Sequence, residues 1–176
     1  SAIIVGNYPP ELTDSILAFA KGAHKVFVGK LCFMPEPIDT ISYDVHACVD
    51  MALQRLAKSG IKKFVFIDGV DKCSIPQFYQ KIFNVREFID RNPGLDLVEF
   101  IECSDFGSAY GYQAMKDYLA NNKTLPEALF AANDPLAIGA MKALNESNIA
   151  VGSEISVISI NGDDSGEWTN PRLTSI

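Results

Sequence analysis

The stretch Phe130–Ser147, FAANDPLAIGAMKALNES, decides how this chain folds. An apolar run collides with Asn133-Asp134-Pro135 and passes at once into apolar residues at helical spacing, which reads as strand, turn and helix. Pro135 suits a first helical turn, where its missing N–H is not needed, and the Asp134 carboxylate can accept from the N–H groups left free there. Asn133 then falls at the carboxyl end of the strand, the side on which open α/β sheets place their ligand crevice. A lone Asn in a strand-to-helix loop has a plainer use, bonding its own turn, and spacing alone does not decide between the two.

Outward from this junction, short Val/Ile/Phe-rich runs alternate with helix-patterned segments. Strands are expected at Ala2–Gly6, Lys25–Gly29, Thr40–Tyr43, Lys63–Asp68, Leu97–Cys103, Ala128–Ala132 and Ile155–Ile160. Helices are expected at Pro10–Lys21, His46–Ser59, Pro76–Arg91, Ser108–Asn121 and Asp134–Ser147. The alternation argues an α/β fold, a parallel sheet sandwiched by helices, and the unbroken apolar letters of KFVFID, ALFAAN and ISVISI argue strands buried on both faces. Gly60, after LAKS, suits a left-handed helix end, and RNPG at Arg91–Gly94 is a stop-and-turn signal.

Composition removes several function classes. With 15 Lys and Arg against 22 Asp and Glu, the net charge of −7 has the wrong sign for a surface that tracks a phosphate backbone. Cys32, Cys48, Cys73 and Cys103 form no C-x-x-C pair, and His24 and His46 are the only histidines, so no zinc or redox site is expected and no cofactor. Free, mostly buried thiols in a reducing compartment fit better. No apolar run is long enough for a membrane helix, and no G-x-G-x-x-G, Walker or G-x-S-x-G motif marks an enzyme. Asp68, Asp71, Asp163 and Asp164 are loop-end carboxylates, which are more often solvated or capping than metal-bound. The chain opens on SAIIVG, already a buried strand, and stops at PRLTSI, so a piece of a longer protein is expected.

The run ALFAANDPLAIGAMKALNESNIAVGSEISVISIN, followed by PRLTSI, closely resembles the effector domain of the LacI/GalR family of bacterial transcription repressors. The shared pattern is a strand ending in Ala-Asn-Asp, a helix with Ala-Ile-Gly-Ala, Glu-Ser-Gly-like residues, a strand ISV and a Pro-x-Leu-Thr-Thr-Ile segment. Here Ser175 replaces the second Thr and Asn148 the usual Gly. LAKSGIKKFVFIDG, with Ile61 in a His place, ISYDVHACVDMAL and GNYPPE are similar to other family segments, so nearly the whole chain is covered.

The resemblance implies a periplasmic-binding-protein-like type I fold with a partial first lobe plus a near-complete second lobe, and a ligand held in a cleft between lobes. Residues 1–59 would be the end of the first lobe, 60–168 the second, and 169–176 the start of the crossover back. It implies a cytoplasmic ligand-sensing domain, not an enzyme, that binds a small-molecule effector such as a sugar. It would act as a homodimer, off the membrane, and control operator DNA through a headpiece absent from this chain. An extracytoplasmic sugar-binding protein of the same fold is the alternative.

By the same resemblance Asn133 fixes a ligand hydroxyl, and Phe106 in SDFGSAYGY is the aromatic ring a sugar or base stacks on, unless it is simply core. Asn161 stands where the family usually has an Asp. Lys81 stands where it usually has an Arg, with Gln80 or Arg86 as rivals if the register slips; a lysine keeps the charge but loses the planar fork. Asp44 and Asn7 would face the cleft from the first lobe, although a helix cap and a turn explain them nearly as well. Ile138 and Met141 lie on the helix face that forms the subunit interface in relatives, or else in the core.

Overall fold

The computed structural model describes residues 2–5, 15, 18, 21–22, 24–28, 39–70, 80–121 and 124–176. They fall into two compact units. The first contains β1 (Ala2–Val5), β2 (Lys25–Val28) and β3 (Asp39–Ile41), paired in parallel in that order. The helix expected at Pro10–Lys21 lies mostly outside the described residues.

The second unit takes in residues 46–70 and 80–176. Its elements are α1 (Val45–Lys58), whose first residue belongs to the other unit, β4 (Lys63–Gly69), α2 (Gln80–Arg91), β5 (Asp96–Cys103) and α3 (Ser108–Asn121). There follow β6 (Ala128–Ala131), α4 (Asp134–Glu146), β7 (Ser156–Ser159), a 3-10 helix (Asp164–Trp168) and β8 (Thr174–Ser175). The helix expected to close the first lobe therefore groups with this unit. Asp50 of α1 pairs with Arg91 of α2 at 3.5 Å, and His46 lies 3.5 Å from Glu87. Within residues 169–176, read as the start of a crossover, β8 joins this unit's sheet, parallel to β7.

The five strands are all parallel in the order β5-β4-β6-β7-β8. The chain leaves β4 in one direction to form β5, then returns past β4 to form β6. Right-handed crossovers accordingly put α2 on one face and α3 and α4 on the other, and direction reverses between β4 and β6. Central strands are buried on both faces, as their continuous apolar runs predict. Phe64 to Ile67 and Ala128 to Ala131 are fully enclosed, whereas β5, at the edge, is largely exposed.

Strand alternation sorts these residues. Val65, Ile67, Leu129, Ala131 and Val157 pack with Met115 of α3 and Leu136, Ala140 and Leu144 of α4. Phe66 faces the other way, its ring centroid 4.9 Å from Phe130 and 5.5 Å from Phe100. Rings at these separations add to the burial of their area.

Two glycines let α3 and α4 meet backbone to backbone. A Cβ on Gly111 would stand 2.1 Å from the Leu136 carbonyl oxygen, and one on Gly139 1.9 Å from that of Ser108. Both contacts involve first-turn residues, so this crossing fixes how the loops leading into α3 and α4 approach each other. At the far end of α4, Asn148 takes φ 58°, the left-handed position a glycine more often fills.

Candidate functional site

Open α/β sheets place their ligand crevice where the strand order reverses, here at the carboxyl ends of β4 and β6, and among the described residues four polar or aromatic side chains converge there. β4 ends in Asp68-Gly69, β6 runs into Ala132-Asn133, β5 is followed by Asp105-Phe106, and Lys81 stands in the first turn of α2.

Asn133, rather than Asp134, caps α4. Its backbone is extended, its Oδ1 accepts from the Leu136 N–H at 2.9 Å, and its Nδ2 donates to the Phe106 carbonyl at 3.0 Å. The amide thereby ties the loop after β5 to the start of α4, and one amide hydrogen and one oxygen lone pair exceed these two bonds. The carboxylate of Asp134, expected to serve the helix's free N–H groups, is used elsewhere. Fully buried, it accepts from the hydroxyls of Ser159 and, at 2.6 Å, Ser175, and from the Asp163 N–H at 2.5 Å. It therefore pins β7, β8 and the loop after β7 to α4. A short side chain one residue past the cap reaches neighbouring strands more easily than its own helix end, which sequence spacing does not reveal.

Lys81 crosses the crevice. Its Nζ donates to the Ala132 carbonyl at 2.9 Å, stands 3.9 Å from Asp68 Oδ1, and lies 5.9 Å from the centre of the Phe106 ring. The side chains are 13% and 4% exposed for Lys81 and Asp68, so this ion pair is screened little by solvent. Asp68 Oδ1 also accepts from the Gly69 N–H at 2.9 Å. A Cβ on Gly69 would meet the Phe106 ring at 2.7 Å, so the glycine is what lets the ring lie against the end of β4. Phe106 is half-buried, leaving part of the ring accessible. Arg86, the rival for the Lys81 position, is exposed.

Among the described residues, Lys81, Phe106 and Asn133 are thus brought together. Asn161 is exposed at the end of β7 with φ 127°, its N–H bonded to the Ile176 carbonyl, and no contact joins it to the cluster. Asp44 belongs to the first unit and directly precedes α1; Asn7 lies outside the described residues. Met141 is 3% exposed and part of the core, so it has almost no surface to offer a partner, while Ile138 is half-buried. Sequence reading passed over Asp68 except as a metal ligand. Its signal was a carboxylate ending a wholly apolar strand, where an ionised group needs a partner.

Among the described residues no cluster of His, Cys, Asp and Glu could hold a metal ion, and no helix is long and apolar enough to cross a membrane. Cys48 is half-buried and Cys103 buried. Burial, with the charge of Asp68, pushes the Cys103 thiol up to about 11, so it stays protonated and unreactive at neutral pH. A surface groove of about 480 Å³ lies at the other end of the sheet, lined by Lys116, Leu119, Leu125, Ser147 and Ile149. Its polar side chains are Lys116, Thr124 and Ser147, the last spending its hydroxyl on the Ala143 carbonyl at 2.9 Å; the crevice, where a charged pair, an amide and a ring meet at the switch point of the sheet, is the better candidate.

Comparison with known proteins gives a consistent answer. A family model, the periplasmic binding protein-like domain, matches residues 53–176. The HTH-type transcriptional repressor MelR of Bacillus subtilis is 29% identical over 99% of this chain and 51% of its own length. GanR, an HTH-type transcriptional regulator of the same organism, is 30% identical over 98% and 53%. The lactose operon repressor of Escherichia coli is 25% identical over 100% and 47%. The chain thus spans about half the length of these relatives. Among solved structures, the lac repressor bound to ONPG in its repressed state has the same fold, with a TM-score of 0.76, 22% identity and coverage of 97% of this chain and 51% of that one. The CelR–cellobiose complex has a TM-score of 0.79 at 22% identity, covering 98% and 52%. The chain belongs to the periplasmic binding protein-like domain family, in the form carried by LacI/GalR-type transcription repressors.

Proposed function

We propose that this chain is the ligand-sensing domain of a DNA-binding transcription regulator and that its effector is a sugar or sugar-like metabolite bound at the β4/β6 crevice. The observation that carries the reading is the convergence of Lys81, Phe106 and Asn133 at the topological switch point of the sheet. These groups supply what a polyhydroxylated ligand needs: N–H donors, an amide that both donates and accepts, and an apolar ring face. The relatives support the regulatory role, since they are HTH-type regulators by name and one solved relative is a complex with cellobiose. No bond is made or broken in this reading. A ligand that prefers one arrangement of the protein shifts its population, and linkage transmits that preference to operator binding elsewhere in the whole protein.

On the same reading the protein is a cytoplasmic homodimer, with Ile138 on α4 contributing to the subunit contact, and Asn7 and Asp44 are further ligand contacts. Asn161 joins the ligand when it is bound. Transport binding protein is the weaker assignment, because the relatives are regulators.

Calorimetric titration with a panel of neutral mono- and disaccharides tests this. At least one should bind, and Phe106→Ala should weaken it about tenfold or more, as loss of a stacking face does. Unchanged affinity in that variant would remove the crevice from the account.

A further inference from the structure

We infer that Asp68 is a specificity-determining residue which balances the charge of Lys81, so that the crevice takes an uncharged ligand oxygen and turns away phosphorylated or carboxylate-bearing ones. The inference rests on the crevice being the effector site and adds the charge class of the effector.

A lysine beside an aromatic ring at the carboxyl end of a parallel strand would ordinarily read as an anion site. The pair geometry argues otherwise. The Lys81 ammonium spends one of its three N–H donors on the Ala132 carbonyl at 2.9 Å. Asp68, 3.9 Å away, is too distant to take a second as a short hydrogen bond but close enough to oppose the charge. Up to two donors are left for a ligand, with the charge behind them offset in part.

Coulomb energy falls as 1/r, so an anion about 3 Å from Nζ and about 6 Å from the carboxylate loses roughly half of the attraction to Lys81 through repulsion by Asp68. What remains must still repay stripping the anion of water, which a single partly cancelled cation does poorly. A sugar hydroxyl carries no such penalty and accepts the same N–H. Burial strengthens the discrimination, because side chains 13% and 4% exposed are not screened as a surface pair is. Asp68 is also held in place: it accepts from the Gly69 N–H, and Gly69 is the residue against which the Phe106 ring rests.

The test uses two probes with separate meanings. Neutral saccharides report whether the crevice is an effector site at all; inorganic phosphate reports its charge balance whether or not a sugar has been found. Titration of the wild-type chain with phosphate should give no saturable binding. Asp68→Asn should bind phosphate at least about tenfold more tightly, the gain vanishing in Asp68→Asn/Lys81→Met. A folded Asp68→Asn variant with no gain, or wild type binding phosphate as tightly as the variant, overturns the inference. Should Asp68→Asn fail to fold, the wild type alone decides: phosphate that occupies the site and displaces a bound saccharide, or binds saturably where none binds, refutes the charge balance, and phosphate without effect upholds it. Absence of any saccharide binding with the phosphate results as expected would sink the sugar reading and leave the charge balance standing.

Discussion

Truncating Asn133 should separate two jobs that one amide performs. In Asn133→Ala, α4 loses the side-chain acceptor for the Leu136 N–H, a cap contributing about 1 kcal/mol in typical proteins. It also loses the bond from Nδ2 to the Phe106 carbonyl, another ~1 kcal/mol by the usual net value of a hydrogen bond. The sum, about 2 kcal/mol, is a large fraction of the stability of an ordinary domain but not all of it, so the variant should fold. Asn133→Ser keeps a capping oxygen but cannot span the loop, and should cost only about 1 kcal/mol. Urea unfolding followed by circular dichroism, with unchanged m-values, would measure both. Saccharide titration of the same two variants then asks about ligand: both should bind more weakly, because both release the Phe106 loop and remove the amide. Equal stability of the Ser and Ala variants would refute the capping role. Full ligand affinity in a destabilised variant would show that Asn133 is purely structural.

Three other perturbations follow from the same coordinates. Gly139→Ala puts a Cβ where the Ser108 carbonyl stands, and forcing α3 and α4 apart should cost about 3 kcal/mol in urea unfolding and loosen the crevice loops. Asn148→Gly relieves a left-handed backbone and should raise stability by about 0.5 kcal/mol, seen as a higher urea midpoint. Glu127 is held below the usual carboxylate range by the Lys62 and Lys63 N–H groups at 2.5 and 3.1 Å. Its contribution is therefore complete above the ordinary value of 4.5 and lost as pH falls through the lowered one. Glu127→Gln should be less stable than wild type at pH 7, and the gap should close in acid below pH 4.5.

The regular parts of this fold were legible because their signals are local. Continuous apolar runs identified β4, β6 and β7, and helical spacing with Pro and Gly at the ends placed α1, α3 and α4 within a residue or two. What escaped depends on distant partners. β8 is two residues long and exists because β7 offers it an edge. Asp134 looks like a cap and serves two serines, 25 and 41 positions away. Asp68 gains its meaning only beside Lys81, across a crossover, and Met141 shows a helical stripe that spacing cannot sort into core or interface. Lys81, Phe106 and Asn133 came from resemblance to a family pattern, and their convergence comes from strand order, which no single segment encodes.

A backbone amide chemical-shift map of the ¹⁵N-labelled chain, with and without a saturating neutral saccharide, locates the effector site. The largest shifts should cluster at the carboxyl ends of β4, β5 and β6, on Gly69, Phe106 and Asn133 and on Lys81 at the start of α2. Shifts concentrated instead around Lys116, Leu125 and Ile149 at the opposite end of the sheet would contradict the crevice assignment.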